Sequence, residues 1–271
     1  MSLRTIAAAA VLSLSLPLFL LAADEGAPAA PPAADSLVDA RLSSVKGKVL
    51  VFERTTPQGM PAVVGLPLED GDRITVGPDS SAEISIDGES VIRLDQKTDF
   101  TLSSARRSGT IFHLSVGSFL AKLRKLASGE NMEFRGPAAV AAVRGTELSV
   151  EATETESRVG VFDEGRVEVS NEAGKQVLEA NQETRAAAGK APGAAVQLQH
   201  FAERRDALDT LRERAKGLPA RWKKLASGSR QDKRKSSLSK MRERAERQRR
   251  EPSHEPKTKE RREKPAPHKG K

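Results

Sequence analysis

Few side chains in this sequence could do covalent chemistry. Cysteine is absent, so thiol nucleophiles, disulfides and Cys-ligated metals are excluded. The histidines are His113, His200, His254 and His268. Only His113 lies in a strand-like run, and there it takes the parity opposite Phe112 and Leu114, which points it outward. One such histidine supplies neither a nucleophilic triad nor a zinc site built on several imidazoles. A Gly-x-Ser-x-Gly elbow and a phosphate loop ending in Gly-Lys-Ser/Thr are both missing. Carboxylates are plentiful, and a glycoside-cleaving pair drawn from Asp87, Asp95, Asp99 and Glu147 stays open, because sequence does not say which of them converge. No catalytic residue, cofactor or metal is expected, and the chain reads as non-enzymatic.

Charge is the other chemistry on offer, and it is unevenly placed. Residues 200–271 hold 25 Lys and Arg against 11 Asp and Glu, a balance of +14, while residues 1–199 hold 20 against 26, a balance of −6. The strongest basic runs are Lys233-Arg234-Lys235, Arg249-Arg250 and Arg261-Arg262. Such a segment suits phosphate-bearing or otherwise anionic surfaces, with binding that weakens steeply with salt. The alternative is a merely solubilising extension. Specific nucleic-acid recognition is not expected, since Trp222 is the only aromatic in residues 202–271 and no stacking platform exists.

Several elements must position these groups. Met1 to Arg4 is short and basic, Ile6 to Leu21 is apolar or small, and Ala22-Ala23 precedes a polar stretch. That is the pattern of an export signal over residues 1–23. Its apolar run is about 16 residues and contains Pro17, short of the roughly 18–20 a spanning helix needs; retention as an anchor is the alternative. Without a cysteine after it, lipoprotein processing is excluded. Residues 24–40 form an Ala/Pro linker.

Over residues 41–190 the hydrophobic period is close to two, as in Ala82-Ile84-Ile86, Phe112-Leu114-Val116, Val159-Val161 and Val167-Val169. Turn residues such as Asp70-Gly71-Asp72, Asp87-Gly88 and Glu164-Gly165 separate the runs. An all-β domain of about a dozen short strands follows. Recurrent Gly-led strands at 45–52, 115–123 and 163–169 suggest solenoid-like stacking, although their unequal spacing suits a sandwich as well. In residues 197–227 the apolar positions Phe201, Leu208, Leu211, Ala215, Leu218, Trp222 and Leu225 recur at helical spacing. Gly217 and Pro219 divide them into two amphipathic helices, which either pack back on the β-domain or self-associate. Residues 228–271 hold almost no large apolar residue beyond Leu238 and Met241 and read as a disordered basic tail. Removing everything after Ser227 would take 17 of the 25 basic residues and, on this reading, no core residue.

Three stretches carry a resemblance. LEDGDRITVGPDSSAEISIDGESVIRL at 68–94, GSFLAKL at 117–123 and PAAVAAVRGTELSVEA at 137–152, followed by VFDEGRVEV at 161–169, resemble the FecR domain family in order and spacing over residues 42–185. The motif positions are Gly71, Asp72, Gly88, Arg144, Gly145, Thr146 and Gly165. The glycines read as tight turns with positive φ, Thr146 as a β-branched residue opening a strand, and Arg144 as either a turn-tying cation or a ligand contact. Regulators of this family carry a cytoplasmic anti-sigma segment and a membrane span ahead of the domain, which this sequence is not expected to contain. The resemblance therefore implies a stand-alone periplasmic or envelope binding or scaffold module. Its β-domain would engage an envelope protein or glycan, and its tail an anionic envelope polymer or lipid. The alternative is a component of a cell-surface signalling system related to FecR sigma-factor regulators. Oligomeric state is not readable.

Overall fold

The computed structural model describes residues 36–250. The expected export signal, residues 24–35 of the linker and everything from 251 on, including Arg261 and Arg262, lie outside the described residues. In chain order the strands begin with β1 (Ala40–Lys46), β2 (Val49–Phe52), β3 (Met60–Pro61), β4 (Arg73–Val76), β5 (Ser81–Ile86) and β6 (Ser90–Leu94). Next come β7 (Asp99–Arg106), β8 (Gly109–Lys122), β9 (Met132–Arg135), β10 (Val140–Val143) and β11 (Glu147–Ala152). The last are β12 (Glu156–Val161), β13 (Val167–Asn171), β14 (Gly174–Leu178), β15 (Gln182–Ala187) and β16 (Val196–Gln197). A 3₁₀ turn at Ala202–Arg204 leads into α1 (Arg205–Lys216), α2 (Leu218–Leu225) and α3 (Arg230–Arg250).

The strands form two sheets joined by one long strand. The first half of β8 pairs with β7 and, in parallel, with β9, in the order β14-β13-β10-β9-β8-β7-β4-β2-β3. Its second half pairs with β6 and β11, in the order β1-β5-β6-β8-β11-β12-β15-β16. Gly117, at φ +99°, is where β8 passes from one sheet to the other, and a Cβ there would lie 2.5 Å from the Thr98 Cα. Glycine alone fits that crossing.

One face of each sheet is buried in a common core. Its centre is a run of four phenylalanines: Phe100 and Phe112 at 5.3 Å between ring centroids, Phe112 and Phe134 at 5.4 Å, Phe134 and Phe119 at 4.6 Å. The period-two runs of the sequence are thus an all-β domain. Pairing is antiparallel except between β8 and β9, and the sheet is open; solenoid-like stacking is not established by it.

The second face of the β1–β16 sheet is covered as well. Val91, Leu120 and Phe162 project from it onto Phe201, Leu208, Leu211 and Leu218 of the helical region. This double burial explains why β5 and β11 break the simple alternation, with Glu83, Ser85, Glu147 and Ser149 all buried. Among the described residues no helix is long and apolar enough to cross a membrane.

Residues 230–250, expected to be disordered, form a helix instead. The segment contains no Gly or Pro, and Arg234, Ser237, Leu238 and Met241 share one face. Arg234, Ser237 and Met241 are buried, and Leu238 is partly buried against the main core. Removal after Ser227 therefore does take core-contacting residues away.

Candidate anion-binding groove and the helical arm that builds it

The C-terminal helices are held by arginines that each reach a carboxylate of the β-domain. Arg204 pairs with Asp95, Arg214 with Glu83 and Arg230 with Asp39. Arg205 reaches Asp163 at 2.8 Å, and Arg212 bonds Glu147 and Asp163 together. The acidic β-domain and the basic C-terminal segment seen in the charge distribution are therefore partners within one molecule. Burial opposes the charged form of Glu147, but hydrogen bonds from Arg212 and Lys122 overcome it and hold its pKa below the usual carboxylate range. The Arg205 and Arg212 hydrogen bonds lower Asp163 likewise.

Two motif turns are docking points for this arm. Asp72 is 1% exposed and accepts hydrogen bonds from both terminal guanidinium nitrogens of Arg234, at 2.7 and 3.0 Å, and from the Glu69 backbone N–H at 2.9 Å. Arg234 also donates to the Pro67 carbonyl at 2.7 Å and reaches Glu69 at 3.0 Å and Glu53 at 3.3 Å. At Gly88, the ring of Trp222 lies so close that a Cβ would sit 2.6 Å from Cγ. Buried Arg41 lies over the same ring, at 5.7 Å from its centroid, and donates to the Leu225 carbonyl at 2.6 Å.

The third motif turn is structural in a different way. Gly145 has φ +95°, and a Cβ there would lie 2.3 Å from the Lys125 Cα and 2.6 Å from the Arg124 carbonyl oxygen. Gly165, at φ +105°, rests against the Gly145 carbonyl, and buried Thr146 packs beneath it. Gly71 also has positive φ, +88°. Arg144 is exposed and makes no hydrogen bond or ion pair with any described residue, so it does not tie the turn.

The carboxylates that stood open as a glycosidase pair are each engaged by a cation in a different place. Asp87 bonds Arg107 at 2.7 Å, Asp95 bonds Arg204, Asp99 bonds Arg73 at 3.1 Å and Glu147 bonds Arg212 and Lys122. Near Asp87, the Arg124 hydrogen bond outweighs burial and, with the Ala127 N–H and Arg107, lowers Glu130 to about 2.

The basic residues expected to meet polyanions divide accordingly. Arg234 is unavailable, being buried in its carboxylate cluster. Lys233 is half-buried, and Lys235, Arg249 and Arg250 are exposed on α3. The structure adds cations that the basic runs did not single out. Lys240, Arg244 and Arg247 recur at i, i+4 and i+7 on α3 and face Lys48, from the β1–β2 turn, across a groove of about 940 Å³. Among the described residues no carboxylate lines it. Lys240 and Arg244 pair with no described carboxylate, and Arg247 only with exposed Glu243, at 3.7 Å. The signal for this site was the three-and-four spacing of those cations about Leu238 and Met241.

The family model for FecR protein matches residues 72–168, from the Asp72 of the buried pair to the start of β13. The chain carries a FecR domain. That FecR segment supplies the Asp-Gly and Val-Arg-Gly-Thr turns, while β1–β3 and α3, which line the groove, lie outside it. No curated protein matches the chain. Two crystal structures of a candidate anti-sigma factor from Parabacteroides distasonis ATCC 8503 are similar at 16% identity and a TM-score of 0.42. The match covers 48% of this chain and 61% of that one.

Proposed function

We propose that this is a non-enzymatic, exported envelope protein: a FecR-domain binding or scaffold module whose basic helical arm attaches it to an anionic envelope component. The observation carrying the reading is the division of labour along α3. Its first turns are tied to the β-domain through Arg230 and Arg234, whereas Lys240, Arg244, Arg249 and Arg250 pair with no described carboxylate. Unpaired cations held on an ordered helix attract anions without first paying an ordering cost. The engagement of Asp87, Asp95, Asp99 and Glu147 by separate cations argues against a glycoside-cleaving pair among them.

The test is retention of the full chain on anionic vesicles or lipopolysaccharide. Binding should be strong at low ionic strength, fall steeply towards about 0.15 M salt and be largely lost on Lys240→Gln, Arg244→Gln, Arg247→Gln combined. Retention that ignores both salt and those substitutions would overturn the reading. The FecR match also supports a second reading, a component of a cell-surface signalling system. Genes for a sigma factor and an outer-membrane transporter beside this one would favour it.

A further inference from the structure

The groove between α3 and the β1–β3 edge has two chemically distinct walls. Its β-domain side, the floor, is largely apolar, with Val45, Leu50, Pro61 and Val64 among the lining residues. Val64 is 54% exposed, one of few large apolar side chains left open to solvent among the described residues. Its rim is cationic, with Lys48 on one side and Lys240, Arg244 and Arg247 on the other. Its volume of about 940 Å³ lies in the range of roughly 300–1,000 Å³ typical of small-molecule sites.

A hydrated inorganic anion would satisfy the rim and leave the floor wet. A neutral apolar molecule would cover the floor and leave four cations facing one another across it. Only a ligand carrying both an apolar segment and a negatively charged head satisfies both walls at once. The geometry points to a binding site for a single molecule of a phosphate-headed amphiphile, with its acyl chain on the Val45–Val64 floor and its phosphate between Lys48 and Arg244. This rests on the reading of the protein as an anion-binding envelope module and names the ligand class of that site. Lys48 and Val64 belong to the β-domain, so the site differs from attraction by a basic tail alone.

The probe is dodecyl phosphate below its micelle concentration, titrated calorimetrically into the full chain. Inorganic phosphate (head without chain) and dodecyl maltoside (chain with a neutral head) are the comparators. One saturable site is expected for dodecyl phosphate and much weaker binding for either comparator. Lys48→Gln and Val64→Asp, both at exposed side chains, should each weaken it by roughly tenfold or more. Equal binding of either comparator, or unchanged binding by Val64→Asp, would overturn the inference. If dodecyl phosphate does not bind while vesicle retention is still lost in the combined α3 variant, this inference falls and the electrostatic reading stands. If vesicle retention also survives those substitutions, both fall.

Discussion

Asp72 and Arg234, 162 residues apart in sequence, form a two-bonded pair at 2.7 and 3.0 Å, with Asp72 buried in the turn that opens the FecR segment. Buried pairs of this kind are costly to break from one side, because the remaining charge is left without compensation. Arg234→Met should destabilise the fold by about 3 kcal/mol, measured by denaturant unfolding. Asp72→Asn should cost less, since Arg234 keeps Glu53 and Glu69. Equal effects of the two would contradict the arrangement described.

Removal of the chain after Ser227 tests the same interface more coarsely. It deletes Arg234 and the fully buried Met241, so the melting midpoint of the remaining protein should drop. Thermal unfolding of the two forms side by side decides the matter.

Gly145→Val should be more damaging than a surface change. The position has φ +95° and backbone atoms of Lys125 and Arg124 within 2.3 to 2.6 Å of where a Cβ would go. A loss of about 3 kcal/mol is expected, whereas Gly109→Ala, where a Cβ meets nothing within 4 Å, should be nearly neutral. Denaturation midpoints of the two variants provide the comparison.

Acid should loosen the arm and the Arg107–Arg124 network. Glu130, Glu147 and Asp163 have folded-state pKa values below their ordinary ones, so each stabilises the fold above its unfolded pKa. That contribution is lost as pH falls through the folded value, for Glu130 from about 4.5 towards about 2. Stability measured from pH 6 downward should decline first below about pH 5. In Glu130→Gln the decline should be shallower, because the group that takes up the proton is gone.

Much of the β-domain was legible because alternation is a direct record of a half-buried sheet. Val167 and Val169 on β13, or Ile84 and Ile86 on β5, are read from spacing alone. The helical stripe of Phe201, Leu208 and Leu211 was legible for the same reason, but its destination on the second face of a sheet was not. That face shows Glu83 and Ser149, which read as solvent-facing until Arg214 and Arg204 are placed over them. The docking of α3 was illegible because charge anchors it. Arg234 sits in the middle of a basic run, and its i, i+4, i+7 spacing with Leu238 and Met241 was too short a stripe to mark a charged residue as buried. Likewise Asp72 reads as a turn residue, and only the fold brings it a partner. The groove needed the same long-range information, since Lys48 and Arg244 meet only after α3 has docked.

The ties between β1 and the arm set a constraint in time as well as in space. Asp39 is held by Arg230, and Arg41 by the Leu225 carbonyl, so one of the earliest strands waits for one of the latest helices. As the chain emerges from the ribosome, β1 can meet β5 early but stays unsealed until residue 230 and beyond have followed. Until then a surface lined with carboxylates and apolar side chains stands open, at risk of aggregation or proteolysis. A chain cut before Arg230 would lack the Arg230 and Arg234 ties and would keep that surface less well sealed, more exposed to chaperones and proteases.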